Sequence, residues 1–99
     1  MKDRGHDDAM AELFSEDPSL AAAYLNDVLE SGDQADLLVA LRQIAKAQGG
    51  VASIAERSGL NPTQLYRMLS PRGNPELRSL SMLLKALGMR LAVEPVGHA

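Results

Sequence analysis

The sequence predicts an all-α fold of five helices that ends in one short β-strand. Apolar residues recur every three or four positions through most of the chain, as on the buried face of a helix. The pairs Asp17-Pro18 and Asn61-Pro62 are typical helix starts, because the first residue caps open amides and proline needs no donor at the first helical position. Alternation with period two is convincing only at Met89–Glu94. These observations favour one small helical domain over residues 17–95.

The composition excludes several kinds of site. The chain has 99 residues and no cysteine, which removes disulfides, thiolate zinc sites and cysteine nucleophiles. The two histidines, His6 and His98, lie near opposite ends, and no glycine-rich phosphate loop follows a strand. We therefore expect no catalytic residue, no metal, no cofactor and no enzyme activity. No apolar run reaches the roughly 20 residues of a membrane span, so we expect a cytoplasmic protein without a membrane partner.

The charges are divided between two parts of the chain. The net charge is −3. Residues 1–36 carry two basic and ten acidic side chains, a net charge of −8, whereas residues 37–99 carry eight basic and three acidic ones, a net charge of +5. This division indicates two partners, one basic and one polyanionic. The alternative is that the charges only cover solvated helix faces.

Residues 1–16 are predicted to form a flexible acidic N-terminal arm. The arm contains a small apolar cluster that docks either on the domain or on a partner, formed by Met10, Leu13 and Phe14. Two helices follow, the first from Asp17 to about Ser31 and the second from position 33 or 34 to the glycine pair at 49 and 50.

The stretch Val51–Ser70 is predicted to form two short helices joined by a tight turn at Gly59, with Asn61 as the cap of the second helix. The apolar positions of the pair fall at helical spacing and comprise Val51, Ile54, Ala55, Leu65, Met68 and Leu69. The other face of the second helix carries polar groups that suit base edges and phosphates, namely Thr63, Gln64 and Arg67. This pattern is typical of a helix-turn-helix, whose second helix enters the major groove of DNA. Similar pairs also occur in plain helical bundles.

The loop Ser70–Pro75 contains two prolines and a glycine. Directly after a DNA-reading helix its Arg72 is suited to bind a phosphate; otherwise the loop is an ordinary turn. A last helix is predicted over residues 76–87. The strand Met89–Glu94 then leaves unpaired backbone groups, for which the simplest partner is the same strand of a second subunit across a two-fold axis. We expect a homodimer with Met89, Leu91 and Val93 at its interface.

Three stretches carry a family resemblance: Ala21–Asp33, Leu37–Gly50 and Ser53–Pro95, the last with SGLNPTQLYRMLSPRGNP running into LLKALGMRL. They resemble the HigA-like addiction-module antidote proteins, the antitoxins of type II toxin–antitoxin pairs with RelE/ParE-type toxins. The resemblance implies a phage-repressor-like helical domain, a homodimer, repression of its own operon at double-stranded operator DNA, and capture of a toxin that degrades RNA. It assigns DNA reading to Thr63, Gln64 and Arg67, with Tyr66 and Arg72 as backbone contacts.

The resemblance does not fix the toxin-binding surface. A toxin that binds RNA should be basic, so the charge argument assigns its site to the acidic first third, at Tyr24, Asp27 and Glu30. Faces of the main domain are the alternative. Two other functions compete with the antitoxin: a free-standing helix-turn-helix transcriptional regulator without a toxin, and an interaction module that has lost DNA binding. A neighbouring reading frame for a small basic protein would favour the antitoxin.

Overall fold

The computed structural model describes residues 5–97, and this range is all-helical, with six α-helices and no strand. The helices are α1 (His6–Glu16), α2 (Pro18–Ser31), α3 (Gln34–Ala47), α4 (Val51–Ser58), α5 (Pro62–Met68) and α6 (Leu77–Ala86). None of these six helices combines the length and the apolar character that a membrane crossing requires. The all-α prediction is confirmed, whereas the predicted number of five helices is wrong.

Local chemistry sets the starts of α2 and α3. Asp17 caps α2 directly before Pro18, because its carboxylate accepts hydrogen bonds from the amide and the hydroxyl of Ser19 at 3.1 and 2.7 Å. The hydroxyl bond stabilises the charged carboxylate and lowers the pKa of Asp17 below its ordinary value. α3 begins with a capping box: Asp33 accepts from the amide of Asp36 at 2.9 Å, and Asp36 accepts from the amide of Asp33 at 3.1 Å. Both predicted helix starts are confirmed.

α3 lies at the centre of the fold. It packs against α1, α2 and α4, and α4 in turn packs against α5 and α6. The buried core is mainly aliphatic, and its fully buried apolar side chains of largest volume are Leu38, Leu41, Ile44, Ile54, Leu65, Leu69 and Leu83. Because α4 contacts both α5 and α6, it fixes the position of these two helices relative to each other.

α1 lies in the segment that the sequence predicts as an arm. Phe14 is only 3% exposed, and its ring centroid lies 5.3 Å from that of Tyr24. Met10 also packs against the core, whereas Leu13 is 47% exposed. The five-helix prediction missed α1 because the surrounding residues are mostly acidic and polar. The only helical signal is the short apolar stripe of Met10, Leu13 and Phe14, spaced by three to four residues. Residues 1–4 of the predicted arm lie outside the described range.

The strand predicted at Met89–Glu94 does not form in the single chain. The amide of Met89 donates to the carbonyl of Leu84 at 2.8 Å, and residues 91–96 have no regular secondary structure. A strand is stabilised by pairing its backbone groups with those of another strand, and the described range contains none to pair with. Leu91 and Val93 are consequently 39% and 99% exposed.

Candidate functional site

A capped turn joins α4 to α5. Gly59 follows α4 with a φ of 79°, a left-handed conformation in which a side chain would be strained. Asn61 then caps α5, because its side-chain oxygen accepts hydrogen bonds from the amides of Thr63 at 2.8 Å and Gln64 at 3.4 Å. Pro62 takes the first helical position. The turn and the cap predicted for this stretch are confirmed, and they fix where α5 begins.

α5 buries one face and exposes the other. Leu65 and Met68 are buried, and the helix packs against α4. The residues of α5 that the sequence analysis assigns to DNA contacts are all exposed, namely Thr63, Gln64, Tyr66 and Arg67. Within residues 5–97 their side chains make no hydrogen bond or ion pair. The structure therefore gathers these four groups on one short helix, with their polar atoms available to a partner.

Two long polar side chains of α3 hold the loop that follows α5. Arg42 donates to the carbonyl of Leu69 at 2.7 Å, and Gln34 donates to the carbonyl of Gly73 at 2.7 Å. Gly73 is buried, and a Cβ at this position would overlap the carbonyl group of Met68. Arg72, the residue before it, is exposed. The loop thus presents Arg72 beyond the C-terminal end of α5 in a fixed conformation.

The basic side chains of the second part of the chain form two groups. Arg57 donates to the carbonyl of Gln48 at 3.0 Å, Arg42 is bonded to the loop, and Lys46 forms an ion pair with Asp8. The others are exposed, and within the described range their side chains have no hydrogen bond or ion pair: Arg67, Arg72, Arg78, Lys85 and Arg90. Within the described range, the basic side chains without a partner therefore lie on α5, on the following loop, on α6 and on the tail, residues 88–97.

A groove between α5 and α6 brings Gln64 together with residues that the sequence did not indicate as functional. Gln64 lines it on α5, and Arg78 and Ser79 line it in the first turn of α6, with Glu76 just before. The groove exists because α4 packs against both helices. The only local signal for Arg78 is a basic residue on the polar face of the last predicted helix. Its proximity to Gln64 depends on tertiary packing.

The residues assigned to toxin binding lie on α2. Tyr24 is half-buried against Phe14, and it lines a surface groove together with Asp27 and Asp36. Glu30 is exposed but does not line this groove. The structure therefore brings Tyr24 and Asp27 together and leaves Glu30 beside them. No lysine or arginine occurs between residues 5 and 36, so the face formed by α1 and α2 is acidic.

The residues assigned to the dimer interface differ in their surroundings. Met89 is half-buried and lines an apolar cleft with Phe14, Ala21 and Leu87. Leu91 and Val93 lie on the exposed tail instead. Of the three, Met89 is the residue that packs against the buried core.

The fold and these surfaces define a small helical protein with an exposed, capped polar helix and a separate acidic face. Among the described residues, no cluster of histidine and acidic side chains is arranged to hold a metal ion. The chain belongs to the family of probable addiction module antidote proteins, whose family model matches residues 7–95. The antidote resemblance of the sequence is confirmed at this level.

The chain is also similar to an uncharacterized protein of Haemophilus influenzae (strain ATCC 51907 / DSM 11121 / KW20 / Rd). The two are 34% identical over 71 residues, which cover 72% of each chain. No solved structure matches the chain at a significant level.

Proposed function

We propose that the chain is a cytoplasmic antitoxin that neutralises a basic toxin of the RelE/ParE type and represses its own operon as a DNA-bound homodimer. Membership of the antidote family supports the first part, because an antidote implies a toxin. The observation that carries the second part is the polar face of α5, where four exposed side chains make no hydrogen bond or ion pair within residues 5–97.

In this proposal α4 and α5 form the helix-turn-helix of a phage-repressor-like domain, and α5 enters the major groove. Gln64 reads a base, since an amide pairs bidentately with adenine, while Arg67 reads guanine or contacts a phosphate. Thr63 contributes a further base contact, and Tyr66 and Arg72 bind the backbone. A two-fold dimer would place its two copies of α5 on half-sites about 34–36 Å apart.

The overall negative charge is compatible with this proposal. α5 packs against neither α1 nor α2, and the segment 1–36 that contains these two helices carries ten of the thirteen acidic residues. Charges separated by more than about 8–10 Å are largely screened at physiological salt. The DNA therefore responds mainly to the basic residues near α5.

Gel shifts on the promoter of the chain's own operon test the DNA contacts. Gln64→Ala should weaken operator binding by about 1–3 kcal/mol and relax the sequence preference at one position. Arg72→Ala should weaken all sequences alike and lower the salt slope by about one per subunit. Asn26→Ala on the exposed face of α2 is the matched control and should change nothing. If both α5-side variants bind as the control does, α5 is not the reader and an interaction module without DNA binding becomes the better function.

The homodimer is proposed from the tail. Leu91 and Val93 alternate with polar or small residues and are 39% and 99% exposed. They follow Met89, which already lies in an apolar cleft. Antiparallel pairing of two tails would satisfy their backbone groups. Analytical sedimentation of the wild type and of Leu91→Pro measures the oligomeric state. Leu91→Pro should give a monomer, because proline removes a backbone hydrogen-bond donor from the paired strands. A dimer of unchanged affinity would place the interface elsewhere.

Co-expression separates the antitoxin from the free-standing regulator. The product of the reading frame adjacent to the chain's own gene should co-purify with it, and the chain should rescue growth when that product is toxic. Operator binding without any such partner would favour the free-standing helix-turn-helix regulator.

A further inference from the structure

The groove between α5 and α6 contains charge that the proposed contacts do not use. Gln64 and Arg78 line the same groove, one on each helix, and both side chains are exposed. Arg78 has no side-chain hydrogen bond or ion pair within residues 5–97. The nearest opposite charge along the chain is Glu76, which also lines the groove. Within residues 5–97 Glu76 and Arg78 form no ion pair, so the guanidinium of Arg78 stays available to a partner.

We propose that Arg78 contacts a DNA backbone phosphate next to the base that Gln64 reads. This inference rests on the proposed DNA binding and adds a contact made by α6. Because Arg78 lines the groove beside Gln64, a strand that brings a base edge to Gln64 carries its phosphates past the guanidinium.

Arg78 and Arg72 lie near opposite ends of α5, and this arrangement suggests how the proposed contact would orient the helix on DNA. Arg78 lies beside the start of α5, near Gln64 and Gly59, whereas Arg72 follows its end. α5 has seven residues. A helix of that size is about 10 Å long. The major groove is about 12 Å wide. One arginine near each end of α5 can therefore engage the phosphates on the two borders of the groove, which fixes the helix in register.

Fluorescence anisotropy on the full-length chain tests the inference, with a labelled duplex from the promoter of its own gene at 50 to 200 mM salt. Arg78→Ala should lower the salt slope by about 0.9 per bound subunit. The ratio of the wild-type affinity to the variant affinity should therefore fall roughly three- to fourfold per subunit as salt rises from about 50 to 200 mM. The loss should be the same on operator duplexes with altered bases, because a phosphate contact carries no sequence information. Arg78→Lys should retain most of the binding, since an ammonium also binds phosphate.

Lys85→Ala is the matched control, because Lys85 is an exposed cation of the same helix that does not line the groove. It should leave the salt slope unchanged, and circular dichroism should show equal thermal unfolding for all variants. If Arg78→Ala has the slope of Lys85→Ala while Gln64→Ala still weakens binding, or if Arg78→Lys is as weak as Arg78→Ala, the inference is overturned and the proposed function stands. If Gln64→Ala, Arg72→Ala and Arg78→Ala all bind normally, the proposed DNA binding itself fails.

Discussion

At the scale of single residues, Gly73 fixes the conformation of the loop that carries Arg72. Its carbonyl accepts a hydrogen bond from Gln34 at 2.7 Å, and its amide donates to the carbonyl of Ser70 at 2.8 Å. Both backbone groups are thus used, and the carbonyl of Met68 approaches too closely for a side chain. A substitution here should affect stability and the end of α5 together.

Gly73→Ala should destabilise the protein by about 1–3 kcal/mol, because the added methyl group forces backbone groups apart. Gly5→Ala is the matched control: its φ is −66°, and its added Cβ would come no closer than 3.9 Å to a carboxylate oxygen of Asp8. Because Gly5 is the N-cap of α1, where alanine is less favourable than glycine, this control should cost no more than about 0.5–1 kcal/mol. Urea unfolding followed by circular dichroism, at one protein concentration, measures both. Equal midpoints for the two variants would mean that the loop relaxes at little cost.

The polar residues of the candidate site were predictable from sequence to different degrees. Asn61 and its cap depend on residues within three positions, so local pattern was sufficient. The use of Arg42 for binding a carbonyl 27 positions away, and the position of Arg78 beside Gln64, arise only from tertiary packing. No local sequence signal distinguishes the roles of Arg42 and Arg72. In the structure Arg42 donates a hydrogen bond that holds the loop, whereas Arg72 is exposed on that loop.

At the scale of elements, caps and breakers were read correctly, whereas elements that need distant partners were not. α2 to α6 were each predicted within a few residues, because their termini carry local signals. α1 has no side-chain cap, and its stability comes from packing against α3 and α2. At Met89–Glu94 the local signal is clear but the predicted strand does not form. Its residues alternate as in a strand, yet the described range supplies no partner strand.

Phe14→Ala tests whether α1 is an integral part of the fold. Phe14 is 3% exposed and contacts Tyr24, so its truncation should cost about 3–5 kcal/mol through lost burial and a cavity. Leu13→Ala, at a neighbouring position that is 47% exposed, is the control and should cost much less. Urea unfolding at fixed protein concentration compares the two alanine variants. If Phe14→Ala does not fold, Phe14→Leu is a milder variant whose thermal unfolding can be compared with that of the wild type. Similar stabilities for the two alanine variants would show that α1 contributes little to the core.

At the scale of the whole molecule, the charges are separated along with the proposed functions. α1 and α2 carry acidic residues without a lysine or arginine between residues 5 and 36. The exposed basic side chains that have no hydrogen bond or ion pair within the described range lie from α5 onward. α5 makes no close contact with α1 or α2. In the proposed function a basic protein and a DNA duplex bind to different faces, so a change on one face should leave binding at the other intact.

Charge reversal of the acidic face should slow capture of the basic toxin without changing operator binding. Asp27→Lys with Glu30→Lys alters two exposed carboxylates of α2, and association at low salt should slow by roughly tenfold, because electrostatic complementarity acts mainly on the association rate. Glu56→Lys with Glu94→Lys makes the same change in net charge away from this face and should retain near-normal association. Stopped-flow mixing with the purified product of the adjacent reading frame, at several salt concentrations, measures both rates. The difference between the variants should shrink as salt rises, since screening weakens the steering field. Equal rates at low salt would move the toxin-binding surface away from α2 and onto another face of the domain.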